Sequence, residues 1–275
     1  MPELPEVETI KRNMESLISG LTFKSINLIM PKVIRTPESQ EFIENLCGKK
    51  VKKIGRRGKY LIIYLSDHFI LVIHLRMTGK LIYEPPGTLP AKHTHVIFKF
   101  DNDCELHYSD IRQFGRMALM EADRMDTWPG LKNLGVEPLS EVFTRDFLKK
   151  ELKRRRTKIK PLLLDQTFIA GLGNIYTDEA LHRARINPEK SGSNLDSREV
   201  ARLYLAIKEV LEQGIANRGT TLRDYVDGTG QSGLNQLSLK VYGREGDPCS
   251  ICGQIIERMR LGGRSTYYCP KCQKR

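Results

Sequence analysis

Four of the six cysteines stand in two pairs near the end of the sequence, at a spacing that suits metal binding. Each pair has the form Cys-x2-Cys, and sixteen residues separate the pairs. Each such turn can direct two sulfurs at one tetrahedral Zn²⁺, and four thiolates leave no coordination position for water. The pattern predicts one structural zinc ion, with a pair of redox dithiols as the weaker alternative. The predicted ligands are Cys249, Cys252, Cys269 and Cys272.

The start of the chain also carries residue types that can do covalent chemistry. Removal of Met1 would leave Pro2 with a free secondary amine, and such an amine can attack an electrophilic carbon and become an iminium. Glu3 and Glu6 are three residues apart, a spacing that makes side chains neighbours on one helix face. Acidic groups in a first turn also compensate the helix dipole. Spacing alone therefore leaves a catalytic and a structural role open for both carboxylates.

The composition favours a polyanionic partner. Lys and Arg number 45 against 33 acidic residues, a formal net charge of +12 with a pI near 9.4. Neutralised phosphates release counterions, so this surplus suits nucleic acid, and a basic surface that serves only solubility suits it equally. No apolar run approaches the roughly 20 residues that span a bilayer. The acidic N-terminus does not resemble a signal peptide, and the isolated Cys47 and Cys104 argue for a reducing compartment.

Hydrophobic periodicity predicts a helix over residues 3–18 and strands from residue 21 to about residue 121. Apolar residues recur at helical spacing in the first segment. In the second, two pairs of apolar runs flank the short polar turns 66–68 and 101–103, which are hairpin signals. Short strands joined by tight turns indicate an antiparallel sandwich.

Helical patterns dominate the remaining sequence up to the cysteine module. Thr144 is a candidate N-cap for the first of them. The predicted helices are 144–152, 158–165, 174–184 and 198–214. The predicted fold class is α+β with two domains, an N-terminal helix plus antiparallel β-sandwich and then a helical domain with a four-cysteine zinc finger. The predicted boundaries are 1–122 for the β-sandwich domain, 123–140 for a linker, 141–238 for the helical domain and 239–275 for the zinc finger.

Three segments in fixed order resemble a known family. Residues 2–8 read PELPEVE, residues 173–176 read GNIY, and the four-cysteine module follows. Together they closely resemble the formamidopyrimidine-DNA glycosylase family, over essentially the whole chain. The opening residues are similar to this branch rather than to its endonuclease VIII relatives, which typically start Pro-Glu-Gly-Pro-Glu. For the helical domain, the resemblance implies a helix–two-turn–helix arrangement.

The resemblance implies base excision repair by a bifunctional DNA glycosylase and AP lyase for oxidised purines. Pro2 would attack the sugar C1′, and Glu3 would be the general acid at the sugar ring oxygen. Lys59 would contact phosphate and assist elimination, and Arg264 in the zinc hairpin would grip the target phosphate and assist the second elimination. The implied partner is double-stranded DNA containing an oxidised base. The implied protein is a monomer of the bacterial cytoplasm, associated with the nucleoid.

The resemblance also assigns residues that hold and open the duplex. Met77, Arg112 and Phe114 would fill the gap left by the flipped nucleotide, because apolar wedges separate bases and Arg can hydrogen-bond the orphaned base. Without the family, Met77 and Phe114 are more readily interpreted as strand core. The other implied DNA contacts are Glu6, His74, His93, Asn174 at a helix start, Arg155 in a stretch with eight basic residues in twelve, and Tyr225 in the lid over the flipped base.

One residue departs from the family pattern, and it keeps the alternatives open. Thr78 follows Met77 where some relatives carry a base-contacting carboxylate, so a preference for oxidised purines is implied by the branch alone. An endonuclease VIII-like enzyme for oxidised pyrimidines is the nearest alternative, and faster excision of thymine glycol would favour it. A non-catalytic zinc DNA-binding protein is another, and it predicts that Pro2→Gly leaves the biological activity intact. RNA binding lacks support because no aromatic platform motif is present.

Overall fold

The computed structural model describes residues 1–274, which form two compact units. The first consists of Met1–Lys132 together with Ile215–Gln236, and the second of Asn133–Gly214 together with the residues from Leu237 onward. Among the described residues, no helix has the length and apolar character that crossing a membrane requires. The predicted fold class, α+β with antiparallel sheets, a helical part and a terminal four-cysteine cluster, is confirmed.

The first unit is a β-sandwich with a helix at its start. The strands are β1 Phe23–Leu28, β2 Ile34–Thr36, β3 Val51–Arg57, β4 Tyr60–Leu65, β5 Phe69–His74, β6 Gly79–Glu84, β7 Thr94–Phe100, β8 Glu105–Asp110 and β9 Arg116–Glu121, and the helices are α1 Leu4–Ile18, α2 Ser39–Leu46 and α3 Pro129–Lys132. One sheet has the strand order β1-β7-β8-β6 and the other the order β2-β9-β5-β4-β3.

Helix α1 forms because its apolar residues share one face and its first turn is capped. Val7, Ile10 and Met14 are fully buried in one core with residues of both sheets, and burying each such side chain contributes about 1.5–3 kcal/mol. Pro5 lies in the first turn, where a missing N–H costs nothing. The helix ends before Gly20, whose φ of +87° lets the chain turn away. This packing fixes the direction in which the N-terminus leaves the core.

Both predicted hairpins are present, and two features differ from the sequence reading. Strand β4 pairs with β5, and strand β7 pairs with β8, as predicted. Helix α2 lies in a segment that we predicted to be strands, because its eight residues give too short a pattern to distinguish periods. Strand β2 pairs with β9 in parallel, in contrast to the antiparallel pairing of the other ladders.

The described residues of the second unit form four α-helices and a terminal hairpin. Thr144 caps α4 as predicted, its side chain accepting a hydrogen bond from the Phe147 amide at 3.0 Å. Helix α6 is buried on nearly every face and contacts the last strand. The elements are α4 Arg145–Lys153, α5 Ile159–Leu164, α6 Asn174–Ala184, α7 Ser197–Ala216, β10 Glu257–Leu261 and β11 Arg264–Tyr268.

Candidate active site

The N-terminal residues are held by a capping box at the start of α1. Pro2, Glu3 and Glu6 are all buried. Glu3 is the N-cap, and its amide donates to Oε2 of Glu6 at 2.8 Å while the Glu3 side chain accepts from the helix backbone. Such reciprocal bonds fix both side chains against the first turn. The arrangement places two carboxylates beside the residue whose nitrogen is the predicted nucleophile.

Glu6 also joins α1 to a distant segment of the same unit, residues 218–225. Its Oε1 accepts a hydrogen bond from the Thr220 amide at 2.7 Å. The Tyr225 hydroxyl donates to the carbonyl oxygens of Arg218 at 3.1 Å and Glu6 at 3.4 Å. Burial, with a smaller effect from the Glu6 charge, raises the pKa of Tyr225, so the phenol keeps its proton and remains a donor.

Backbone geometry at Gly219 explains why a glycine precedes Thr220. Its φ is +82°, and a Cβ there would lie 2.9 Å from Cγ of Glu6. Any side chain would be strained in this conformation and would push against the carboxylate. Through the bonds of the Glu3 amide and the Tyr225 hydroxyl to Glu6, these three predicted site residues form one hydrogen-bonded group.

Lys59 lies in the turn between β3 and β4 and is only 6% exposed. Gly58 precedes it with a φ of +55°. Arg56 donates to the Gly58 carbonyl at 2.9 Å and also forms an ion pair with Glu8 of α1 at 3.1 Å. The turn that presents Lys59 is thus anchored to the helix that carries the N-terminal residues.

His74, a predicted DNA contact, is buried and neutral. Burial is the main cause that lowers the pKa of His74 to about 3, and the charges of Arg76 and Lys59 add to it. Its Nδ1 accepts from the Arg76 amide at 3.0 Å, and Tyr60 packs edge-on against the ring. A cavity of about 330 Å³ lies beside the His74 and Tyr60 rings. It is also lined by Trp128 and by three arginines, Arg35, Arg76 and Arg116. The positive cavity can attract an anion such as phosphate.

Met77, Arg112 and Phe114 form one exposed group, here called the gap cluster. Met77 is 40% and Phe114 46% exposed, so neither belongs to the strand core. The Arg112 guanidinium donates to Sδ of Met77 at 3.0 Å and lies 4.9 Å from the centre of the Phe114 ring. His93, by contrast, is half-buried, and its carbonyl oxygen accepts a hydrogen bond from the Asp110 amide at 3.0 Å.

In the second unit, Asn174 is the first residue of α6 and Gly173 is the N-cap. The Asn174 side chain donates to the carbonyl oxygen of Ser265 at 2.9 Å, and Nζ of Lys160 donates to the same oxygen at 2.9 Å. Arg264 is the exposed residue just before Ser265, at the turn of the terminal hairpin. The start of α6 therefore fixes the backbone beside Arg264.

The basic stretch 149–160 is not a uniform surface. Arg155 stacks on Phe168 at 4.6 Å and donates to Glu151, whereas Arg154 and Arg156 are exposed. Lys160 is fully buried against Asp178 at 2.6 Å. The predicted contact Arg155 is thus partly engaged within the unit. Arg154 also pairs with Glu151, at 3.7 Å, but its side chain is more exposed than that of Arg155.

The four predicted zinc ligands converge at the base of the β10–β11 hairpin. All four sulfurs lie within 4.8 Å of one another, with Cys252 and Cys269 3.5 Å apart and Cys249 and Cys272 4.0 Å apart. Tetrahedral zinc with sulfur ligands at 2.3 Å separates the sulfurs by about 3.8 Å. The residues fit a single structural Zn²⁺, and the four thiolates would hold it.

Several residues that shape the site were missed by the sequence reading. His182 places Nε2 3.5 Å from Sγ of Cys249, and mainly its burial lowers its pKa to about 4, so the ring is neutral. Asp178 accepts from the Tyr267 amide at 3.0 Å. A lone histidine or aspartate in a helix carries no spacing signal, so only three-dimensional packing reveals these roles.

Comparison with protein-family models covers most of the chain. Residues 1–117 match the formamidopyrimidine-DNA glycosylase N-terminal domain, and residues 134–226 match the formamidopyrimidine-DNA glycosylase H2TH domain. Residues 246–275 match the zinc finger found in FPG and IleRS. The cysteine cluster and this match agree on a zinc finger.

Similar full-length proteins come from bacteria. Formamidopyrimidine-DNA glycosylase of Pelotomaculum thermopropionicum is 59% identical and that of Desulforamulus reducens 56% identical, each matched over 100% of this chain and 99% of the relative. Lactococcus lactis Fpg bound to DNA containing an abasic site superposes with a TM-score of 0.94 at 40% identity, covering 99% of this chain and 100% of that one. The Lactococcus enzyme bound to DNA with an oxidised pyrimidine superposes with a TM-score of 0.93 at 39% identity, covering 100% of both chains. This chain belongs to the formamidopyrimidine-DNA glycosylase family and is a DNA repair glycosylase with a zinc finger.

Proposed function

We propose that the protein is a bifunctional glycosylase and AP lyase that removes oxidised purines, 8-oxoguanine and formamidopyrimidines, from double-stranded DNA. The observation that carries the proposal is the capped N-terminus, where Pro2 is buried beside Glu3 and Glu6. A relative, a Lactococcus lactis FPG mutant, was crystallised with Fapy-dG-containing DNA, which supports a ring-opened purine as substrate.

The first steps use the Pro2 amine after Met1 has been removed. Its lone pair attacks C1′, the N-glycosidic bond breaks, and the base leaves with its electron pair and takes up a proton. Opening the sugar ring gives the iminium, and Glu3 gives a proton to the departing ring oxygen. The positive end of the α1 dipole disfavours a protonated amine at this position and so favours the nucleophilic form.

Strand cleavage follows because the iminium acidifies the adjacent sugar C–H bonds. Loss of the C2′ proton expels the 3′ phosphate, and a second elimination expels the 5′ phosphate. Water then hydrolyses the imine and restores the amine. Lys59 and Arg264 suit this stage, since each can stabilise the charge on a leaving phosphate. Lys59 sits in an anchored turn and Arg264 beside a fixed carbonyl.

Opening the duplex is assigned to the gap cluster, and holding it to the remaining predicted contacts. Flipping a nucleotide out costs a few kcal/mol of stacking and pairing, which inserted side chains offset in part. The exposure of Met77 and Phe114 supports this assignment. The hydrogen bonds of Tyr225 and Thr220 to Glu6 support a role for residues 218–225 in closing over the base.

Borohydride trapping tests this mechanism. We expect an 8-oxoguanine·cytosine duplex and sodium borohydride to give a covalent adduct, because reduction converts the iminium into a stable amine. Peptide mass mapping should place the adduct on the peptide that begins with Pro2. Pro5→Ala, which changes the second proline of the N-terminal segment and leaves the Pro2 amine in place, serves as the matched control and should still form it. Zinc-loaded protein that lacks Met1, binds the duplex and forms no adduct would contradict the proposal.

A second candidate substrate class is the oxidised pyrimidines. The solved complex of the Lactococcus enzyme with DNA containing an oxidised pyrimidine favours it. Single-turnover excision from matched duplexes with 8-oxoguanine or thymine glycol separates the classes. Faster excision of 8-oxoguanine is expected, and faster excision of thymine glycol would assign the chain to pyrimidine repair.

A further inference from the structure

Asp110 is a buried carboxylate beneath the exposed gap cluster. Its side chain is 1% exposed and lies at the end of β8. Oδ2 accepts from the Gly115 amide at 2.8 Å and from the Tyr108 hydroxyl at 3.2 Å. Oδ1 accepts from the Thr78 hydroxyl and, at 3.2 Å, from the Arg112 amide. A buried carboxylate needs such donors, and each donor is thereby held in place.

Three of the four donors belong to the two segments that carry the gap cluster, and the fourth, the Tyr108 hydroxyl, belongs to β8 itself. Thr78 follows Met77 in the chain, and Gly115 follows Phe114. The Arg112 amide is shared, because it also lies 3.0 Å from Oγ1 of Thr78. One carboxylate thus ties the backbone on both sides of the Arg112–Phe114 segment to the segment that carries Met77.

The backbone around Asp110 allows little adjustment. A Cβ at Gly115 would lie 1.7 Å from the Tyr108 hydroxyl, so only glycine fits there. Gln113 adopts a φ of +57° and its amide donates to the Asp110 carbonyl at 3.2 Å. Nε2 of His95 contacts the same carbonyl oxygen at 2.8 Å. The segment between β8 and β9 is therefore set in one conformation that leaves Arg112 and Phe114 exposed.

Thr78 has a chemical role here that a carboxylate would not fill. Its hydroxyl donates to Asp110 and accepts from the Arg112 amide at once. An ionised glutamate or aspartate at this position has no proton to donate and would place a second negative charge against Asp110. The Thr78 hydroxyl therefore supports the gap cluster by linking Asp110 to the Arg112 amide.

We propose that Asp110 and Thr78 are positioning residues that preassemble Met77, Arg112 and Phe114 for insertion into the duplex. The inference rests on the proposed function, in which these three side chains fill the gap left by the flipped nucleotide. Preassembly lowers the conformational entropy lost on insertion, because the side chains already contact one another before DNA binds. The two residues act through the cluster and need not touch the DNA.

The test uses the zinc-loaded full chain and a duplex with 2-aminopurine opposite a tetrahydrofuran abasic analogue. Insertion unstacks the 2-aminopurine and raises its fluorescence. At saturating protein we expect Thr78→Val and Asp110→Asn to give a smaller rise than the wild type, and Thr78→Ser to restore it. In Asp110→Asn an amide NH₂ faces backbone N–H donors, which leaves a bond unmade. Thr78→Val decides the question alone if Asp110→Asn does not fold.

A second readout separates positioning from general loss of structure. Borohydride trapping is measured on a natural abasic site, whose C1′ aldehyde can form the iminium as the tetrahydrofuran analogue cannot. The site is placed in duplex and in single-stranded DNA, since single strands need no wedge. We expect the duplex to single-strand rate ratio to fall about tenfold in Thr78→Val, the loss typical of one hydrogen bond to a charged group. An equal loss on both DNAs, or wild-type fluorescence and ratio in Thr78→Val, would overturn the inference.

These measurements also distinguish the inference from the proposed function. A wild type that raises the fluorescence but forms no adduct contradicts the Pro2 chemistry, and the fluorescence of the variants still decides the positioning role. A wild type that binds the abasic duplex without any fluorescence rise contradicts the gap-filling role, and the positioning inference fails with it.

Discussion

The N-terminal site and the zinc module are held together in opposite ways. At the N-terminus, a single carboxylate joins residues 214 positions apart, through the bond from the Thr220 amide to Glu6. In the zinc module, four thiolates within 24 consecutive residues converge on one point. A metal ion can fix a short segment with little help from the fold, whereas the proposed catalytic groups at the N-terminus depend on hydrogen bonds that Thr220 and Tyr225 donate from a distant segment. The comparison predicts that zinc-side changes act on stability and site-side changes on chemistry.

Loss of a zinc ligand is the largest effect we expect. Cys269→Ser removes a fully buried ligand, and structural zinc sites supply about 10–16 kcal/mol of binding free energy that is coupled to folding. The variant should contain no zinc by elemental analysis and should lose duplex affinity, because the hairpin that carries Arg264 is no longer held. Cys104→Ser, outside the cluster, is the matched control. A zinc-free variant with wild-type melting and DNA affinity would show that the module needs no metal.

Breaking the buried ion pair of the second unit comes next. Lys160→Met leaves Asp178 buried without its cation, a change that costs about 3–5 kcal/mol. Lys158→Met removes an exposed pair with Glu189, worth about 0–1 kcal/mol at most, and is the control. Denaturant unfolding of both variants measures the difference. Equal losses would mean that the buried pair does not support α6.

His182→Leu should weaken zinc retention without abolishing it. The neutral imidazole lies 3.5 Å from Sγ of Cys249 and can donate a hydrogen bond to that thiolate. Loss of such a supporting bond typically lowers metal affinity about 10–100-fold. Competition with a coloured chelator gives the affinity directly. A zinc affinity equal to that of the wild type would mean that His182 only packs against the module and does not support the Cys249 thiolate.

Glu6→Gln should affect chemistry more than stability. Both carboxylate oxygens accept from backbone amides, so the NH₂ group of glutamine must face an N–H donor. We expect the single-turnover rate of adduct formation to fall about tenfold, as for loss of a hydrogen bond to a charged group. Glu15→Gln, on the exposed side of the same helix, is the control. An unchanged rate would mean that the hydrogen bond between Glu6 and residues 218–225 does not contribute to adduct formation.

The smallest effect concerns pH. His74 has a pKa of about 3 in the folded protein, because burial disfavours the charged ring, against about 6.5 when unfolded. The unfolded chain therefore binds the proton first, and stability falls as the pH drops from about 6.5 towards 3. Near pH 5.5, His74 lowers the free energy of unfolding by about 1.4 kcal/mol relative to its value above pH 6.5. His74→Asn should flatten the pH dependence of unfolding by that amount, and an identical slope would place the effect in other groups.

Features set by local spacing could be predicted from the sequence, and features set by long-range contacts could not. The zinc ligands follow from spacing alone, and α1, the hairpins and the Thr144 cap follow from local patterns. Pro2 and Glu3 required resemblance to a family, because a proline and a glutamate near a start are common. Asp110 and Thr220 were beyond reach, since their roles depend on contacts that only the folded chain creates. Helix α2 was missed because eight residues show no clear period.

The bond between Glu6 and Thr220 sets an order of events during synthesis. Residues 1–132 leave the ribosome long before 215–236, which completes the same unit. At about 5–20 residues per second, some 10–40 seconds separate the appearance of Glu6 from that of its partner. Through that interval the β-sandwich can form while one oxygen of Glu6 still faces water. On the proposed assignment, the nascent chain is therefore a sandwich without a finished catalytic site, and that site is completed only after residues 215–236 have been made.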